Sequence, residues 1–375
     1  MSRWRLITDD RVSASFGLAA DEVLAQRVGR GESQPTLRLY TYRPHCALIG
    51  RFQTAEHEVH VETCRARGIA INRRPSGGGA ILMGDAQLGV ALMIPGRRDD
   101  AYGRARELMA GFSQGIVRGL NGLGINAEFR RKNDIEVDGR KIVGLGIYRN
   151  PSGGLLFHAS LLVDIDILLM LQVLNTPFEK LSDKEVTTVA ARISTVRREL
   201  GGEISLDEVR RRVAAGYATT FGVELAASDF TPGERQAIAT LEREKYLRDT
   251  WVFQRTDVPD SAGSARVKTP AGLLEVRVTL AGRMLKAVFI GGDFFAADNA
   301  VADLEASLRW HSSDSSAVEA TLQTVYARRA AALGALPASA LTGAIDLAVR
   351  RARVAEVRRR SDPYACFVSP GGACE

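Results

Sequence analysis

A glycine-rich segment carries the first residues that are suited to chemistry. It reads Arg-Arg-Pro-Ser-Gly-Gly-Gly-Ala from Arg73 to Ala80 and follows the apolar stretch Ile69 to Ile71. Consecutive glycines let backbone N–H groups approach an anion, and the forked donors of arginine match phosphate or carboxylate oxygens. The segment lacks the Lys-Ser/Thr of a Walker A loop and the GxGxxG spacing of a dinucleotide fold. It indicates a nucleotide-phosphate site, although Gly-Gly-Gly alone is more often a flexible turn.

A second group comprises Lys132-Asn133-Asp134 and Lys141. Asp-Gly between two alternating runs predicts a β-hairpin over residues 135–143, with Lys141 opening the return strand. Asp134 is suited to hold Mg²⁺, and Asn133 to fix a neighbouring group by hydrogen bonds. A protonated Lys141 would offset charge that develops on phosphate and carbonyl oxygens. Without further context, Lys141 is better explained as a solvated hairpin residue.

Apolar periodicity predicts the elements that position these groups. Predicted strands cover residues 37–42 and 46–49, ending at a turn that begins with Gly50, and residues 155–163. The apolar run from Ile167 to Leu174 is predicted to form a core helix. The predicted helices are 56–67, 104–123, 166–174, 182–190 and 205–220.

The length of 375 residues exceeds one hydrophobic core and predicts two domains, 1–250 and 251–375. The boundary falls in a stretch around residues 222–262 in which the periodic pattern of helices and strands is weaker. The second domain is predicted to contain strands at 272–280 and 284–290, helices at 298–308, 315–332 and 338–357, and an extended tail with Cys366 and Cys374.

The composition favours a globular protein, with 45% hydrophobic and 25% charged residues. The net charge of +6 is spread along the chain, which disfavours nucleic acid as a partner and suits an acidic protein. No apolar run approaches the roughly 20 residues that span a bilayer, so we expect no membrane association. Four scattered cysteines and the absence of a signal-like start predict a cytoplasmic location.

The two motifs and their separation resemble the lipoate-protein ligase A family, in its two-domain form, within the biotin/lipoate protein ligase superfamily. Arg73 to Ala80 is similar to the family's Arg-Arg-x-Ser-Gly-Gly-Gly-Ala loop, and Lys132 to Ile135 to its Arg-Asn-Asp-Ile/Leu element. Gly139 to Gly144 resembles the segment with the essential lysine. Phe157 to Leu162 resembles a strand written His-His-Gly-Thr-Leu-Leu. The resemblance covers residues 1–250.

This resemblance implies an α/β (α+β) fold, with a large catalytic domain of mixed and antiparallel sheets flanked by helices and a small α+β accessory domain. It implies that lipoate or octanoate is activated with ATP and Mg²⁺ to acyl-AMP, then transferred to a lysine of a lipoyl carrier. The carrier would be an H protein, a 2-oxoacid dehydrogenase E2 subunit or a dedicated lipoate-binding protein. The ligase itself is expected to be a monomer, whose accessory domain opens and closes the site.

The resemblance also implies roles for individual residues. Lys141 would be catalytic, and Asp134 would assist Mg²⁺. Residues implied to bind ATP or the acyl-adenylate are Arg74, Ser76, Gly77, Gly78, Gly79, Ala80, Ile81, Leu82, Asn133 and Lys141. Residues implied to shape the acyl pocket are Arg51, Arg149 and His158. A histidine on an apolar strand is as often a satisfied core residue. The alternative interpretation of the Gly50-Arg51-Phe52-Gln53 turn is that it ends a strand.

Three positions depart from the family pattern. Met83-Gly84 stands where the family has His-Asp, with Asp85 one place later. Phe157 replaces a histidine, and Val143 replaces a serine. The loop conformation and the preference between lipoate and octanoate therefore stay open.

Two alternative functions remain. An octanoyl transferase would take the acyl group from acyl carrier protein without ATP, through a cysteine thioester. In the predicted catalytic domain only Cys46, on a strand, and Cys64, on a helix, are available, and neither adjoins the motifs. The other alternative is a non-catalytic protein that binds an acyl-adenylate or a carrier domain.

Overall fold

Strands and short helices alternate through the first part of the chain. The computed structural model describes residues 2–96, 102–130, 133–175, 183–254 and 263–361. By its contacts the chain divides into two units, Met1–Thr256 and Asp257–Glu375. The predicted positions Lys132, Cys366 and Cys374 lie outside the described residues.

The first unit contains eleven described strands. They are β1 (Ser2–Val12), β2 (Thr36–Tyr42), β3 (Cys46–Ile49), β4 (Ala70–Arg73), β5 (Ile81–Met83), β6 (Gln87–Pro95), β7 (Glu128–Arg130), β8 (Asp134–Val137), β9 (Arg140–Arg149), β10 (Gly154–Leu162) and β11 (Val223–Ala227). The helices are α1 (Ala14–Gly29), α2 (Ala55–Glu58), α3 (Val61–Ala66), α4 (Ala105–Phe112), α5 (Gln114–Asn121), α6 (Ile167–Val173), α7 (Asp183–Ala190), α8 (Val196–Leu200), α9 (Leu206–Phe221), α10 (Pro232–Leu241) and α11 (Asp249–Val252), with a π-helical turn at Glu242–Tyr246.

Two sheets organise this unit. Eight strands form a mixed sheet in the order β11-β1-β2-β6-β10-β9-β8-β7, in which β1 runs parallel to both of its neighbours and the remaining pairs are antiparallel. A smaller sheet has the order β4-β3-β5. The glycine-rich segment connects β4 to β5, so both of its ends are fixed to the same central strand. The predicted α/β class is confirmed.

Helix α1 covers the middle of the large sheet. The side chain of Ser13 caps its first turn by accepting a hydrogen bond from the Phe16 N–H. The helix contacts β6 and β10, and its buried residues join the main hydrophobic core with Tyr40, Tyr42 and Met93. This core therefore packs against the same strands that carry the site.

The predicted hairpin is confirmed, with positive φ angles at Asp138 and Gly139. Two predicted helices are interrupted. The helix over 56–67 breaks because Val59 takes an extended conformation and bridges to Leu174. The helix over 104–123 is split at Ser113, whose hydroxyl donates to the Ala110 carbonyl.

The apolar run 167–174 forms α6 as predicted, but the prediction of a core helix was wrong. Only Leu171 and Val173 of α6 are buried, and Leu168 is half exposed. The short helix therefore lies at the surface with one apolar face turned inward.

The second unit is a sheet with helices. Its antiparallel sheet has the order β12 (Gly263–Thr269), β13 (Gly272–Ala281), β14 (Met284–Gly292) and β15 (His311–Ser312). Helix α12 (Asp298–Leu308) packs on β14, and α14 (Ala338–Ser361) packs on β12, β13 and α13 (Ser315–Leu333). The strands and helices predicted here are confirmed.

Over the described residues, no single helix combines the length and apolarity needed to cross a membrane. Helices α13 and α14 pass that test only when counted together, across a bend of 119°.

Candidate active site

A β-bulge aims Lys141 at the face of the sheet that carries the other site residues. Strand β8 pairs Asp134 with Gly144 and Ile135 with Val143, but Glu136 is paired with Lys141. The extra residue, Ile142, is what defines a bulge. Strict alternation from Gly144 would turn Lys141 to the opposite face. The extra residue restores Lys141 to the same face as Gly144. Its amine therefore lies on the face of the sheet that carries Asp134.

One row of paired residues crosses five strands on this face. Because directly paired residues in antiparallel strands share a face, the register brings together Asp134, Gly144, Ser160, Gly89 and Tyr40. Small residues in the row leave a trough above the sheet. A methyl group at Gly144 would lie 3.1 Å from the Lys141 Nζ and 3.3 Å from the Ser160 Oγ, so glycine leaves the lysine amine room to lie over the strand.

Lys141 and Asp134 form an ion pair in which Nζ lies 2.6 Å from Oδ1. The side chains are 37% and 22% exposed, so the pair is open to a ligand without being fully solvated. Asn133 lies beside them, since its main-chain carbonyl accepts from the Leu145 N–H and its amide donates to the Leu145 carbonyl. The predicted lysine, asparagine and aspartate are thus held together.

Arg74 is a buried cation at the glycine-rich loop. Its guanidinium donates to the carbonyls of Leu48 at 2.6 Å and Gly79 at 2.8 Å. Within the described residues it forms no ion pair with a carboxylate. Burial lowers its pKa to about 10, because desolvation penalises the positive charge. An anion that entered beside Arg74 would remove part of this penalty.

His158 lies in the next row of the same face, paired with Gly146. A methyl group at Gly146 would come within 2.5 Å of the imidazole ring, so this glycine makes room for the histidine. His158 Nε2 and the Ser76 Oγ are 2.6 Å apart. Burial, and secondarily the charge of Arg74, lowers the pKa of His158 to about 3. The imidazole is therefore neutral and connects the sheet to the loop.

A cavity opens along the trough between the loop and the sheet. Of the residues that the sequence predicted to bind ATP, acyl-adenylate or the acyl chain, those that line the cavity are Arg74, Gly78, Gly79, Ala80, Ile81, Asn133, Lys141 and His158.

Other predicted residues lie outside the cavity lining. Ser76 is hydrogen-bonded to His158. Leu82 is buried in a separate core cluster. The Arg51 guanidinium stacks over the Trp251 ring at 5.0 Å. The main-chain N–H of Arg149 donates to Tyr102 Oη at 3.3 Å. Gly77 also lies outside the lining.

The sequence did not single out one wall of the cavity, where polar groups meet. Asp21 on α1 accepts hydrogen bonds from Arg38 and from the Tyr40 hydroxyl. Asp21, Tyr40 and Tyr42 all line the cavity. Helix α1 was not among the predicted helices, and an acidic residue between its apolar positions is the signal that would have found this wall.

The departure at Met83-Gly84 has a local explanation. A methyl group at Gly84 would lie 2.5 Å from the His45 ring, so that ring occupies the space of any side chain at this position. Met83 lines the cavity. The side chains at this position are therefore arranged differently from the His-Asp pair expected of the family.

Both cysteines of the described residues are buried away from the cavity lining. Cys46 is completely buried on β3, and burial raises the pKa of its thiol. Cys64 on α3 packs in a separate core cluster, and burial raises its thiol pKa as well. Since the thiolate is the reactive form, neither side chain is suited to be a nucleophile.

The chain is similar in sequence to a known protein family. The model of the lipoyl protein ligase A/B catalytic domain matches residues 13–218, more than half of the chain. An octanoyltransferase LipM from Kyrpidia tusciae is 32% identical over 277 residues, which cover 68% of this chain and all of that protein. About a third of this chain thus lies outside that match.

Two solved structures are similar to the chain. A bi-partite lipoate protein ligase from Thermoplasma acidophilum, studied with its E2 lipoyl domain, has a TM-score of 0.61 at 27% identity and covers 69% of this chain and 100% of that one. A lipoate-protein ligase A bound with ATP has a TM-score of 0.58 at 25% identity, covering 67% and 98%. The chain belongs to the lipoyl protein ligase A/B catalytic domain family, as the resemblance of its motifs had indicated.

Proposed function

We propose that this protein is an ATP-dependent lipoate-protein ligase, which converts lipoate or octanoate to acyl-AMP and transfers the acyl group to a lysine of a lipoyl carrier domain. The observation that carries the proposal is a cationic pair of side chains, Lys141 and Arg74, lining one cavity whose described walls contain no cysteine. Such a site is suited to bind anions and is not suited to form a thioester.

The cations have complementary tasks. Arg74, already buried and without a carboxylate partner among the described residues, suits a phosphate group of the nucleotide. Lys141, on the sheet side of the cavity, suits two groups. These are the acyl carboxylate and the α-phosphate of ATP, which the carboxylate attacks. A fixed cation there stabilises the charge that develops as the acyl–phosphate bond forms and pyrophosphate leaves. In the second step the carrier lysine attacks the anhydride carbonyl, and AMP leaves.

Asp134 would hold Mg²⁺. In the described residues no group of three or more His, Cys, Asp or Glu side chains forms a metal site. A single carboxylate still fits Mg²⁺, which commonly binds one or two carboxylates together with substrate phosphates. When bound, the ion would neutralise charge on the phosphate oxygens. The solved relative with bound ATP supports a nucleotide substrate, and the one studied with an E2 lipoyl domain supports such a carrier.

An ATP-independent octanoyl transferase is the second candidate, because the similar LipM protein is named an octanoyltransferase. That chemistry needs a reactive thiolate, and the raised thiol pKa values of Cys46 and Cys64 argue against it. Cys366 and Cys374 lie outside the described residues and are tested directly below.

Mass spectrometry of an isolated lipoyl domain separates the candidates. We expect a lipoyl or octanoyl mass increase with the free acid and ATP, none when ATP is omitted, and none with octanoyl acyl carrier protein alone. A variant with all four cysteines replaced by serine should keep the activity. ATP-independent transfer from acyl carrier protein that this variant loses would establish the transferase instead. Absence of both reactions and of pyrophosphate release would favour a non-catalytic binding protein.

A further inference from the structure

The backbone of Lys141 is held by a segment that follows it in sequence by about fifty residues. We call residues 191–200, which include α8, the strap. The Lys141 N–H donates to the Arg192 carbonyl at 2.9 Å, and the Ser194 N–H donates to the Lys141 carbonyl at 2.8 Å. Ile193 thus forms a parallel bridge with Lys141. At the bulge, both main-chain polar groups of the lysine are bonded to the strap.

One carboxylate ties the strap to the strand beside the lysine. Glu199 Oε1 accepts from the Arg140 guanidinium at 2.9 Å and from the Ser194 hydroxyl. Arg140 directly precedes Lys141, and Ser194 makes one of the two main-chain bonds to it. The Glu199 side chain is 13% exposed, so this pair is better shielded from water than a surface ion pair. Although burial opposes it, the bonds from Ser194 and Arg140 lower the pKa of Glu199.

Glu199 reaches the lysine strand from the side away from the cavity. Arg140 and Lys141 are consecutive in β9, so their side chains point to opposite faces. Glu199 is bound to Arg140 and is not part of the cavity lining. Any effect of Glu199 on Lys141 would therefore pass through the backbone and not through contact with a ligand.

We propose that Glu199, with Arg140 and Ser194, is a positioning residue that clamps the bulge and so fixes the direction of Lys141. A bulge inserts an unpaired residue and weakens the ladder locally. The pairing of β10 with β9 ends at Val143, and beyond that point the strap supplies the main-chain bonds of Lys141. The proposal rests on the proposed ligase function for its kinetic consequence. Its structural part, the clamp, stands independently of any reaction.

Hydrogen exchange of the intact protein tests the clamp. In Glu199→Ala, peptides that contain Lys141 and Ser194 should exchange roughly tenfold faster or more, because hydrogen bonds to a charged acceptor are lost. Glu199→Gln, which keeps an acceptor for both donors, should restore most of the protection. Glu234→Ala is the matched control, since it removes another buried glutamate from an arginine pair, with Arg5 on β1. It should leave these peptides unchanged.

Kinetics tests the consequence. Glu199→Ala should lower kcat for acyl-AMP formation by on the order of 10–100-fold, because the Lys141 side chain is no longer held in its productive orientation. The KM values for ATP and acid should change little, since the cavity residues are intact. Unchanged exchange would overturn the proposal, and so would faster exchange with an unchanged kcat. If the wild-type protein forms no acyl-AMP, the proposed function fails, and exchange alone decides whether the clamp exists.

Discussion

Arg38 and Arg74 are both buried in the first unit, but their electrostatic surroundings are opposite. Arg38 lies between two carboxylates, with Nη2 2.7 Å from Asp9 and Nη1 2.7 Å from Asp21. Burial acts to lower its pKa, but the two aspartates outweigh burial and raise it. Arg74 is bonded to carbonyls, and burial lowers its pKa to about 10. The first arginine is a neutralised part of the core, whereas the second retains a charge that a ligand can neutralise.

The largest effect that tests this comparison is on stability. Arg38→Gln should reduce the free energy of unfolding by about 3–5 kcal/mol, because it leaves two carboxylates without their cation. Arg74→Gln should cost less than half as much, because it also removes a buried charge that lacks a counter-ion. Denaturant unfolding of both variants measures the difference. Equal losses would show that Arg74 is as structural as Arg38.

The next effect is on nucleotide binding. Arg74→Gln should weaken binding of ATP by about 10–100-fold, the loss expected for a hydrogen bond to a charged group. Arg118→Gln, on the exposed surface of α5, provides the control and should bind like the wild type. Calorimetry with a non-hydrolysable ATP analogue measures both. Wild-type affinity in Arg74→Gln would remove this arginine from the site.

A smaller effect concerns acid stability. The pKa of His158 is about 3 in the folded protein and about 6.5 in an unfolded chain, so between these values the unfolded state binds more protons. Stability that is present above pH 6.5 is therefore lost as the pH falls, by up to about 1.4 kcal/mol per pH unit.

The variant His158→Gln isolates this contribution, because glutamine does not titrate and can still bond to Ser76. Unfolding midpoints at pH 7.5 and pH 5 should lie closer together in the variant than in the wild type. An identical pH response would mean that His158 titrates normally.

The sequence predicted those parts of the site that depend on local pattern. Asp138-Gly139 predicted the hairpin because this pair tolerates positive φ, and the glycine-rich segment predicted the loop. The bulge at Ile142 was not predicted, because the residues around it are compatible with regular alternation. It is stabilised by the strap, which is distant in sequence.

The wall formed by Asp21 and Tyr40 depends on tertiary contacts in the same way. Helix α1 and strand β2 bring these residues together, and neither residue belongs to a motif. Arg51 was expected in the acyl pocket, but it lies over Trp251, which is 200 positions later in the chain. Local spacing identified which residues are chemically capable, and only packing determined which of them face the cavity.

The most direct test of the proposed ligase is lipoate-dependent exchange of pyrophosphate into ATP, measured on the wild type and on Lys141→Ala. The wild type should catalyse the exchange, and Lys141→Ala should lose it by on the order of a thousandfold, since Lys141 is the cation proposed to stabilise the transition state. The circular dichroism of the variant should be unchanged. Full exchange by a folded Lys141→Ala protein would contradict the assignment of this lysine and, with it, the mechanism.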